Sequence, residues 1–391
     1  MSDEEIADLI DRKMDACLEE QLGEFPLTLG ERLKLHRELF DSFRRLDILQ
    51  ELVDDPRVTE IMVNGPDQVF VETGGKIGRW EKSFESREQL EDLIQQIVSS
   101  VNRIVNTSMP LADARLSDGS RVHVVLEPIA LNGPILTIRK FPEPMTMERL
   151  LDYGSISPEA ADLLKTLVAA RYNIFVSGGT GAGKTTFLNA LSEFIPPGER
   201  VITIEDAAEL QLNHIENLVR METREANAEG AGAIGIGELI RAALRMRPDR
   251  LIIGEVRGKE ALDLLQSLNT GHDGGFSSGH ANSVKDMLSR LETMVLMAAD
   301  LPLAAIRSQI ASAVDIMVHV SRMRDKTRKV TAIEEVDRFE NGEIILNPLF
   351  TFREAEKAGD GFGNTGKVEG SLEQIGTLKH REKLRLAGYR V

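Results

Sequence analysis

Residues 173–191 read NIFVSGGTGAGKTTFLNAL, in which an apolar run is followed by a glycine-rich turn and by a segment with helical spacing of apolar residues. From Gly178 to Thr185 the turn fits the pattern G-x-x-x-x-G-K-[ST] at every fixed position. At ordinary glycine usage, a chance match is expected in roughly one chain of this length per hundred. The pattern requires a strand before it and a helix after it, and both are present here. The stretch therefore predicts a strand of a parallel sheet, a loop and a helix.

This glycine-rich loop has the composition of a phosphate-binding site. Glycines allow several backbone N–H groups to converge on a phosphate, and the N-terminus of the following helix adds a partial positive charge. In such a loop Lys184 neutralises the β- and γ-phosphates of a nucleotide, and the hydroxyl of Thr185 ligates magnesium. The alternative is a glycine-rich turn with an incidental lysine. The predicted nucleotide-binding residues are Gly178, Gly179, Thr180, Gly181, Ala182, Gly183, Lys184, Thr185 and Thr186.

After about residue 150 the sequence alternates between strand-like apolar runs and helical segments. VITIED (201–206) and LIIGEV (251–256) have the character of buried strands, whereas GELIRAALRMRPD (237–249) and EALDLLQSLNTG (260–271) have helical spacing. Strands that alternate with helices of about 10–15 residues predict a parallel sheet with crossover helices. An α/β domain with a C-terminal extension is therefore expected over residues 150–391.

Acidic residues follow two of these predicted strands. In RLIIGEVRG (250–258), Glu255 comes after the apolar run, and ligands of parallel sheets bind beyond the carboxyl ends of the strands. A carboxylate there can orient or deprotonate the water that attacks a γ-phosphate. VITIED delivers Glu205 and Asp206 to the same edge, as candidates for the acidic contact to metal-bound water that Gly254 cannot supply. The alternative for Glu205 and Asp206 is that they begin a loop or cap a helix.

Two histidines lie in TGHDGGFSSGHANS (270–283), a segment rich in glycine and serine. A zinc site would require more ligands at short spacing, and no cysteine is near. An isolated histidine is more often a hydrogen-bonded residue of the core. Two of them after a crossover helix, His272 and His280, favour sensing of the γ-phosphate.

The chain before residue 150 has a different organisation. Residues 1–55 show helical periodicity among many charges and predict an N-terminal helical segment. Residues 56–141 contain strand-like runs such as VTEIMVN and RVHVVLEP and an amphipathic helix over 86–106, which together predict a small α+β domain. Two prolines in FPEPM interrupt the pattern, so residues 142–149 are expected to form a linker.

Composition and charge restrict the class of protein. The 391 residues carry a formal net charge of −16 and contain one cysteine, Cys17, so no intramolecular disulfide is possible and a reducing compartment is expected. Nucleic-acid binding over the whole surface would require many Lys and Arg contacts, so no nucleic-acid partner is expected. The acidic start MSDEEIADLI lacks the order of a secretory signal, and no run of about 18 apolar residues occurs. A cytoplasmic protein with only peripheral membrane contact is expected.

The most basic short stretch is KHREKLRL, residues 379–386. It has no interleaved aromatic residues on which bases could stack. A solvated terminal helix is the favoured interpretation, and docking to a membrane or a partner is the alternative.

Four stretches of the chain resemble, in sequence and in order, the signatures of the type II/type IV secretion ATPases. They are GGTGAGKTT (178–186), TIEDAAELQL (203–212), LRMRPDRLIIGEVRG (244–258) and TGHDGGFSSGHANS (270–283). The likeness is strongest to the branch that assembles Flp/Tad pili, often called CpaF-like, and it extends over roughly residues 55–350. The family's third stretch normally carries Gly-Glu, as Gly254-Glu255 does here. The fourth stretch departs from the family pattern at Ser278 and Gly279, where threonine and valine are usual.

The resemblance implies a fold class and cofactors. The implied fold is an α/β, RecA-like P-loop ATPase domain with a parallel sheet, preceded by a smaller α+β N-terminal domain and N-terminal helices. ATP and Mg²⁺ are the implied cofactors. The implied metal ligands, partly through water, are Thr185, Glu205 and Asp206.

The resemblance also implies roles for individual residues. Glu205 and Glu255 are implied to do catalytic acid work, and His272 and His280 to sense phosphate. Family members carry arginines in the N-terminal domain that offset charge in the transition state. The candidates for this role here are Arg115, Arg121 and Arg139.

The expected function is an ATP-hydrolysing hexameric motor that powers pilus assembly or protein secretion, as in the family. Its expected partners are further copies of the chain and inner-membrane platform proteins, which would place it at the cytoplasmic face of the inner membrane. The leading alternative is a nucleic-acid-translocating RecA-like ATPase, because the same core drives helicases and packaging enzymes. A further alternative is a scaffold that binds ATP without turnover, although such a protein has no evident need for a water-activating glutamate.

Overall fold

The computed structural model describes residues 3–21, 28–101, 103–140, 145–224, 232–355 and 366–389. The chain divides into two compact units, Met1–Glu143 and Pro144–Val391. The division falls within the predicted linker, residues 142–149. Residues 142–144 of that linker lie outside the described residues, and residues 147–149 already belong to a helix.

Helices begin the first unit, as the periodicity of residues 1–55 predicts. They are α1 (Asp3–Gln21), α2 (Leu29–Arg44), a short 3-10 turn (Asp47–Leu49) and α3 (Gln50–Asp54). At the start of α2, the Thr28 backbone N–H donates to the Glu31 carboxylate at 2.8 Å, and the Glu31 N–H donates to the Thr28 hydroxyl at 3.3 Å. This reciprocal cap satisfies N–H groups that have no partner within the helix.

The rest of the first unit is an antiparallel sheet with a helix on one face. Its elements are β1 (Val58–Asn64), β2 (Val69–Thr73), β3 (Lys76–Arg79), α4 (Arg87–Ser100), β4 (Leu111–Arg115), β5 (Arg121–Val125) and β6 (Ile135–Arg139). Among the described residues the strand order is β3-β2-β1-β6-β5-β4. Alternate residues such as Val122 and Ile138 are buried in one cluster with the apolar residues of α4, because successive side chains of a strand point to opposite faces.

The helix predicted over residues 86–106 is shorter in the structure, since α4 ends at Ser100. Asn106 forms an isolated bridge with Met109, and its side chain accepts the backbone N–H groups of Ser108 and Met109 at 2.9 Å. Hydrogen bonds of this kind offer the backbone an alternative to the helix. These contacts place residues 106–109 in a turn, so the predicted helix cannot extend to Asn106.

The second unit contains a large mixed sheet with helices on both faces. Its elements are α5 (Met147–Asp152), α6 (Pro158–Ala169), β7 (Ile174–Gly178), α7 (Lys184–Ser192), β8 (Val201–Glu205), β9 (Leu218–Glu222), α8 (Ile236–Ala243), β10 (Arg250–Ile253), α9 (Glu260–Leu268), β11 (Phe276–His280), α10 (Val284–Ala298), α11 (Leu303–Ala313), β12 (Ile316–Arg322), β13 (Arg328–Glu340), β14 (Glu343–Glu354), β15 (Gly370–Gln374) and α12 (Glu382–Leu386).

Within the described ranges, the strand order of this sheet is β15-β14-β13-β12-β7-β11-β10-β8-β9. Neighbours from β12 to β9 are parallel, and β13, β14 and β15 extend the sheet with antiparallel pairs. β7, β8 and β10 are buried along their whole length, as central strands covered on both faces should be. The predicted parallel sheet is thus confirmed, whereas β9 and the antiparallel extension have no counterpart among the predicted elements.

Parallel pairing brings several strand ends to one edge of this sheet. Gly178 at the end of β7 pairs with His280 at the end of β11, and Ile253 at the end of β10 pairs with Ile204 of β8. The segments that follow these four strands therefore begin side by side. They are the segments that carry the predicted phosphate loop and the predicted acidic residues.

The basic stretch 379–386 is docked on the second unit, in contrast to the solvated helix that its composition favours. The Lys383 ammonium lies 2.7 Å from carboxylate oxygens of both Asp273 and Asp315. The Tyr172 hydroxyl donates to the carbonyl of His380 at 2.6 Å. The positive charge of this stretch is therefore paired with carboxylates that precede β11 and β12.

Among the described helices, none alone has the length and apolar composition needed to cross a membrane. α10 and α11 meet that test only as a pair, and they are bent by 120°.

Candidate active site

The predicted phosphate loop connects β7 to α7 at the carboxyl edge of the sheet. Gly183 precedes α7 and has a φ of +94°, a conformation that residues with side chains rarely adopt. α7 begins at Lys184, so the loop ends at a helix N-terminus with its unpaired N–H groups. This combination favours a bound phosphate. Thr185 and Thr186 lie half-buried in the first turn of the helix.

Three predicted site residues form a chain of polar contacts beside this loop. Lys184 Nζ lies 3.1 Å from His280 Nδ1, and His280 Nε2 lies 3.0 Å from Glu255 Oε1. Lys184 begins α7, His280 ends β11, and Glu255 follows β10. The three side chains meet because β7, β11 and β10 are adjacent parallel strands.

The partners of His280 assign its tautomer. An ammonium group only donates, so Nδ1 accepts from Lys184 and Nε2–H donates to Glu255. Burial lowers the pKa of His280, Glu255 acts in the opposite direction, and the charge of Lys184 adds to the lowering. Burial also lowers the pKa of Lys184, against the effect of Glu255. The His280 ring therefore lies between the amino group of Lys184 and the carboxylate of Glu255.

The Glu205 side chain occupies the space next to Gly254. A Cβ on residue 254 would lie 2.9 Å from Glu205 Cγ and 3.3 Å from Glu205 Oε1. Glu205 is 3% exposed, and its Oε1 accepts the backbone N–H groups of Glu209 at 2.9 Å and Leu210 at 3.0 Å. The neighbouring strand β8 therefore supplies a carboxylate where a side chain of residue 254 would otherwise lie.

Glu205 has the properties of a ligand for a hard cation. Its Oε2 is buried, and no group of the described residues hydrogen-bonds to it. Burial raises the pKa of Glu205, and the N–H groups of Glu209 and Leu210 compensate only in part. A nearby cation would favour the ionised form of the Glu205 carboxylate, and Mg²⁺ prefers oxygen donors. Together with the hydroxyl of Thr185, the donor set fits Mg²⁺.

Asp206 lies at the same edge of the sheet and faces a guanidinium. Arg257 Nη1 is 3.7 Å from Asp206 Oδ2. Arg257 Nε and Nη2 donate to the two oxygens of Glu255 at 3.0 and 3.2 Å. Burial raises the pKa of Asp206, and Arg257 acts in the opposite direction. One arginine thus links both acidic segments.

His272 does not join this cluster. It precedes β11, whereas His280 is the last residue of that strand. A five-residue strand, at about 3.3 Å per residue, carries the chain roughly 16 Å across the sheet. Gly274, close to His272, donates its N–H to Asn173 Oδ1 at the amino edge at 2.8 Å. His272 therefore lies outside the contact chain of Lys184, His280 and Glu255, and its role in sensing phosphate stays a prediction.

The three predicted arginines lie in one row across the sheet of the first unit. Arg115 of β4 is opposite Arg121 of β5, which is opposite Arg139 of β6. Directly paired residues of antiparallel strands point to the same face. Their strand neighbours Val122 and Ile138 are buried with α4, so the arginines lie on the other face.

The family model described as type II/IV secretion system protein matches residues 44–349. The chain belongs to this family. The matched range contains the phosphate loop, Glu205, Glu255 and His280. The family expected from the four sequence stretches is confirmed.

Two relatives are similar to this chain in sequence, and one solved structure is similar to it in fold. A Mycobacterium tuberculosis protein named for conjugal transfer is 39% identical over 293 residues, which are 73% of this chain and 83% of that protein. The type IV secretion system protein PtlH of Bordetella pertussis is 35% identical over 291 residues, 68% of this chain and 86% of that protein. The X-ray structure of the Legionella pneumophila ATPase DotB has a TM-score of 0.54 and 19% identity, and it covers 75% of this chain and 80% of its own. The predicted fold class is confirmed.

No role for Arg257 is predicted from the sequence, although its side chain contacts Glu255 in this site. It stands two residues after Glu255 in GEVRG, so its charge is visible in the sequence. The direction of its side chain cannot be read from the sequence, because the segment after β10 has no regular periodicity. Only the structure shows that it contacts Glu255 with two donors.

The two residues that depart from the secretion-family pattern both have local partners. Ser278 Oγ donates to the carbonyl of Gly254 at 2.6 Å. A Cβ on Gly279 would lie 2.8 Å from the sulfur of Met287 in α10. Gly279 thus makes room for a methionine of the neighbouring helix. Ser278 ties β11 to the residue before Glu255.

Proposed function

We propose that this chain is an ATP-hydrolysing motor of a protein-secretion or pilus-assembly system. The observation that carries the proposal is the contact chain from Lys184 through His280 to Glu255 beside the phosphate loop. It combines a cation for phosphates with a carboxylate for the attacking water, and Glu205 adds an oxygen donor for a metal. A protein that only bound nucleotide would have no need of a carboxylate for water.

Lys184 is able to exchange its partner for a phosphate. Its ammonium donates to a neutral nitrogen of His280. A phosphate oxygen is negatively charged and attracts an ammonium more strongly than an imidazole nitrogen does, so a phosphate competes well with His280 for Lys184. The His280 ring then remains beside the terminal phosphate, which is the place of the sensor that we propose for it.

Thr185, Glu205 and Asp206 are the proposed magnesium ligands, partly through water. Bound Mg²⁺ supplies positive charge that offsets the charge of the phosphates. The Oε2 atom of Glu205 is the buried oxygen that supports this assignment. Gly254 supports it as well, because only a residue without a side chain leaves room for Glu205.

Glu255 is the proposed base for the attacking water. Arg257 and His280 hold its carboxylate from two sides. The water oxygen forms a bond to the γ-phosphorus, the bond from that phosphorus to the bridging oxygen of ADP breaks, and Glu255 accepts the proton of the water. A fixed carboxylate performs this step better than a mobile one, because orientation lowers the barrier.

The row of Arg115, Arg121 and Arg139 is the proposed source of further positive charge at the transferred phosphoryl group. Guanidinium groups stabilise transition-state charge in many phosphoryl-transfer enzymes. The common face of the three arginines supports a joint role. Replacement of Arg121 by alanine should then lower kcat more than it changes KM.

We assign the motor to a homo-hexameric ring at the cytoplasmic face of the inner membrane, with platform proteins of a pilus or secretion machine as partners. Relatives named for conjugal transfer and type IV secretion support a machine of this class. The Flp/Tad type rests on the four sequence stretches. Association with the membrane would occur only through the partners, and the acidic net charge of −16 supports the expectation of no nucleic acid.

The test is steady-state phosphate release from ATP by the purified protein, with and without single-stranded DNA. Lys184→Ala and Glu255→Gln should each reduce turnover by at least about 100-fold, because each removes a group that acts on the transferred phosphate. Lys165→Ala and Glu159→Gln are matched controls, since both residues are exposed on α6. Both controls should retain the original rate.

Each outcome of this experiment decides between functions. Turnover that requires Glu255 and ignores DNA supports the secretion motor. Stimulation by DNA would instead favour a translocase. Undiminished turnover in Glu255→Gln would show that Glu255 is not the base for the attacking water. ATP binding without turnover, even with membranes that contain the platform proteins, would indicate a scaffold that binds ATP but does not hydrolyse it.

A further inference from the structure

Arg328 lies against the phosphate loop and comes from the antiparallel extension of the sheet. Its Nε donates to the carbonyl of Gly181 at 3.0 Å. Its Cδ is 3.3 Å from the position that a Cβ on Gly183 would occupy. Arg328 is the first residue of β13, and its side chain is exposed. A residue outside all four signature stretches therefore contacts the loop that would bind phosphates.

The strand order determines which end of a nucleotide this side of the loop would receive. Glu255 and His280 follow β10 and β11 on one side of β7, whereas β12 and β13 lie on the other side. The lysine of a phosphate loop reaches the β- and γ-phosphates, and Lys184 contacts His280. The terminal phosphate therefore belongs on the β11 side. The nucleoside then extends toward β12 and Arg328.

A small cleft adjoins Arg328 on that side. Its walls include the apolar side chains of Leu150, Phe187, Val320 and Val330. Its volume is about 30 Å³, which is room for about one water molecule. A planar ring can therefore lie across the opening but cannot enter. These four side chains are at most 8% exposed, so the cleft offers a ring only a narrow apolar strip, and Arg328 lines the cleft beside them.

We propose that Arg328 binds the purine base of the nucleotide by stacking its guanidinium plane on the ring. The inference rests on the proposed ATP hydrolysis, because it assigns the nucleoside end of the same site. Guanidinium groups are planar and stack on aromatic faces, which a lysine cannot do. The bond from Nε to Gly181 restricts the plane before the base arrives. A base held in this way is recognised by its aromatic face.

Equilibrium binding of ADP and of inorganic pyrophosphate to the full-length protein tests this assignment. Both ligands carry two phosphates, and only ADP carries a base. Arg328→Ala should weaken ADP binding by about 3- to 30-fold, as expected for loss of a cation over an aromatic face. Pyrophosphate affinity should change by less than about twofold, within the effect of an exposed charge.

Two further variants make the test specific. Arg328→Lys keeps the charge and most of the aliphatic stem, but it has no plane and should not restore ADP affinity. Arg353→Ala, at an exposed arginine of the same antiparallel extension, is the matched control and should bind both ligands as the original protein does.

The results that would contradict the stacking assignment can be told apart from one another. Equal weakening of ADP and pyrophosphate would mean that Arg328 acts only on the loop through Gly181, and full recovery in Arg328→Lys would mean that charge alone matters. Either result overturns the stacking assignment, as does unchanged ADP affinity in Arg328→Ala. If the original protein binds neither ligand, the proposed nucleotide site itself is wrong.

Discussion

Glu205 and Gly254 share one space: the Cγ atom of Glu205 lies 2.9 Å from where a Cβ on residue 254 would be. The carboxylate that ends β8 thereby takes the place of a side chain that would follow β10. This contact explains why glycine, rather than an acidic residue, stands before Glu255. The two glutamates have different partners: Glu205 is buried and accepts backbone N–H groups, whereas Glu255 is held by Arg257 and His280.

Gly254→Ala is the direct test of this relationship. The added methyl group must displace Glu205, which should cost about 1–3 kcal/mol of stability, the usual penalty for overpacking. Because a misplacement of about 1 Å can lower activity about 100-fold, phosphate release should fall by that order. Thermal unfolding and steady-state turnover measure the two effects.

Gly198→Ala is the matched control, since a Cβ at that position meets no atom within 4 Å. It should leave both stability and turnover unchanged. Full activity in Gly254→Ala would show that the position of Glu205 is unimportant for hydrolysis.

Arg257→Ala should reduce kcat by about 10- to 100-fold, the usual effect of removing a partner that orients a functional group. Its guanidinium donates to both oxygens of Glu255, so its loss leaves the proposed base less well oriented. The side chain of Arg257 is 63% exposed, and stability should therefore change by less than about 1 kcal/mol. Turnover and urea unfolding separate the two roles.

Lys259→Ala removes another exposed charge two residues away and controls for net charge. A rate in Arg257→Ala equal to that of Lys259→Ala would show that Glu255 needs no help from the arginine.

The sequence predicts those parts of this site that depend on local pattern. The strand, loop and helix around Lys184 follow from a motif and its flanking periodicity, and the carboxyl-edge position of Glu255 follows from parallel pairing.

Other parts depend on which strands become neighbours. Glu205 meets Gly254 because β8 pairs with β10, although 49 positions separate the two residues in the sequence. Arg328 reaches the phosphate loop because β13 follows β12 at the side of β7. Helical and strand periodicity carry no information about such pairings. Side-chain direction in the irregular segment around Arg257 is equally absent from the pattern.

Lys383→Ala should lower the stability of the second unit by about 1–3 kcal/mol, as expected when a partly buried charged group loses its partner. Lys383 bridges Asp273 and Asp315, each at 2.7 Å. Burial raises the pKa of Asp315, and Lys383 opposes that effect. Chemical denaturation measures the loss.

The double variant Lys383→Ala with Asp315→Asn should recover part of the stability, because no uncompensated charge remains at residue 315. Arg385→Ala, at an exposed position of α12, is the control. A loss in Arg385→Ala as large as in Lys383→Ala would point to general unwinding of α12 instead of the bridge.

His319 should make stability depend on pH. It is 7% exposed, and its Nδ1 lies 2.8 Å from the hydroxyl of Ser177, next to the phosphate loop. Burial lowers the pKa of His319, and Asp286 and the backbone of Asn282 offset only part of that effect. The unfolded chain, with an ordinary pKa of about 6.5, therefore takes up this proton at a higher pH than the folded protein does.

The contribution of His319 to the free energy of unfolding is therefore fully present above about pH 6.5. It falls as the pH drops from there toward the lower pKa of the folded state. Urea unfolding at pH 7.5 and pH 5.5 should show a smaller loss in His319→Gln than in the original protein, because glutamine has no proton to take up. His214→Gln, at an exposed histidine of the same unit, controls for removal of an imidazole and should keep the original loss. An identical loss in the original protein and in His319→Gln would assign the acid sensitivity to other groups and leave His319 with a packing role only.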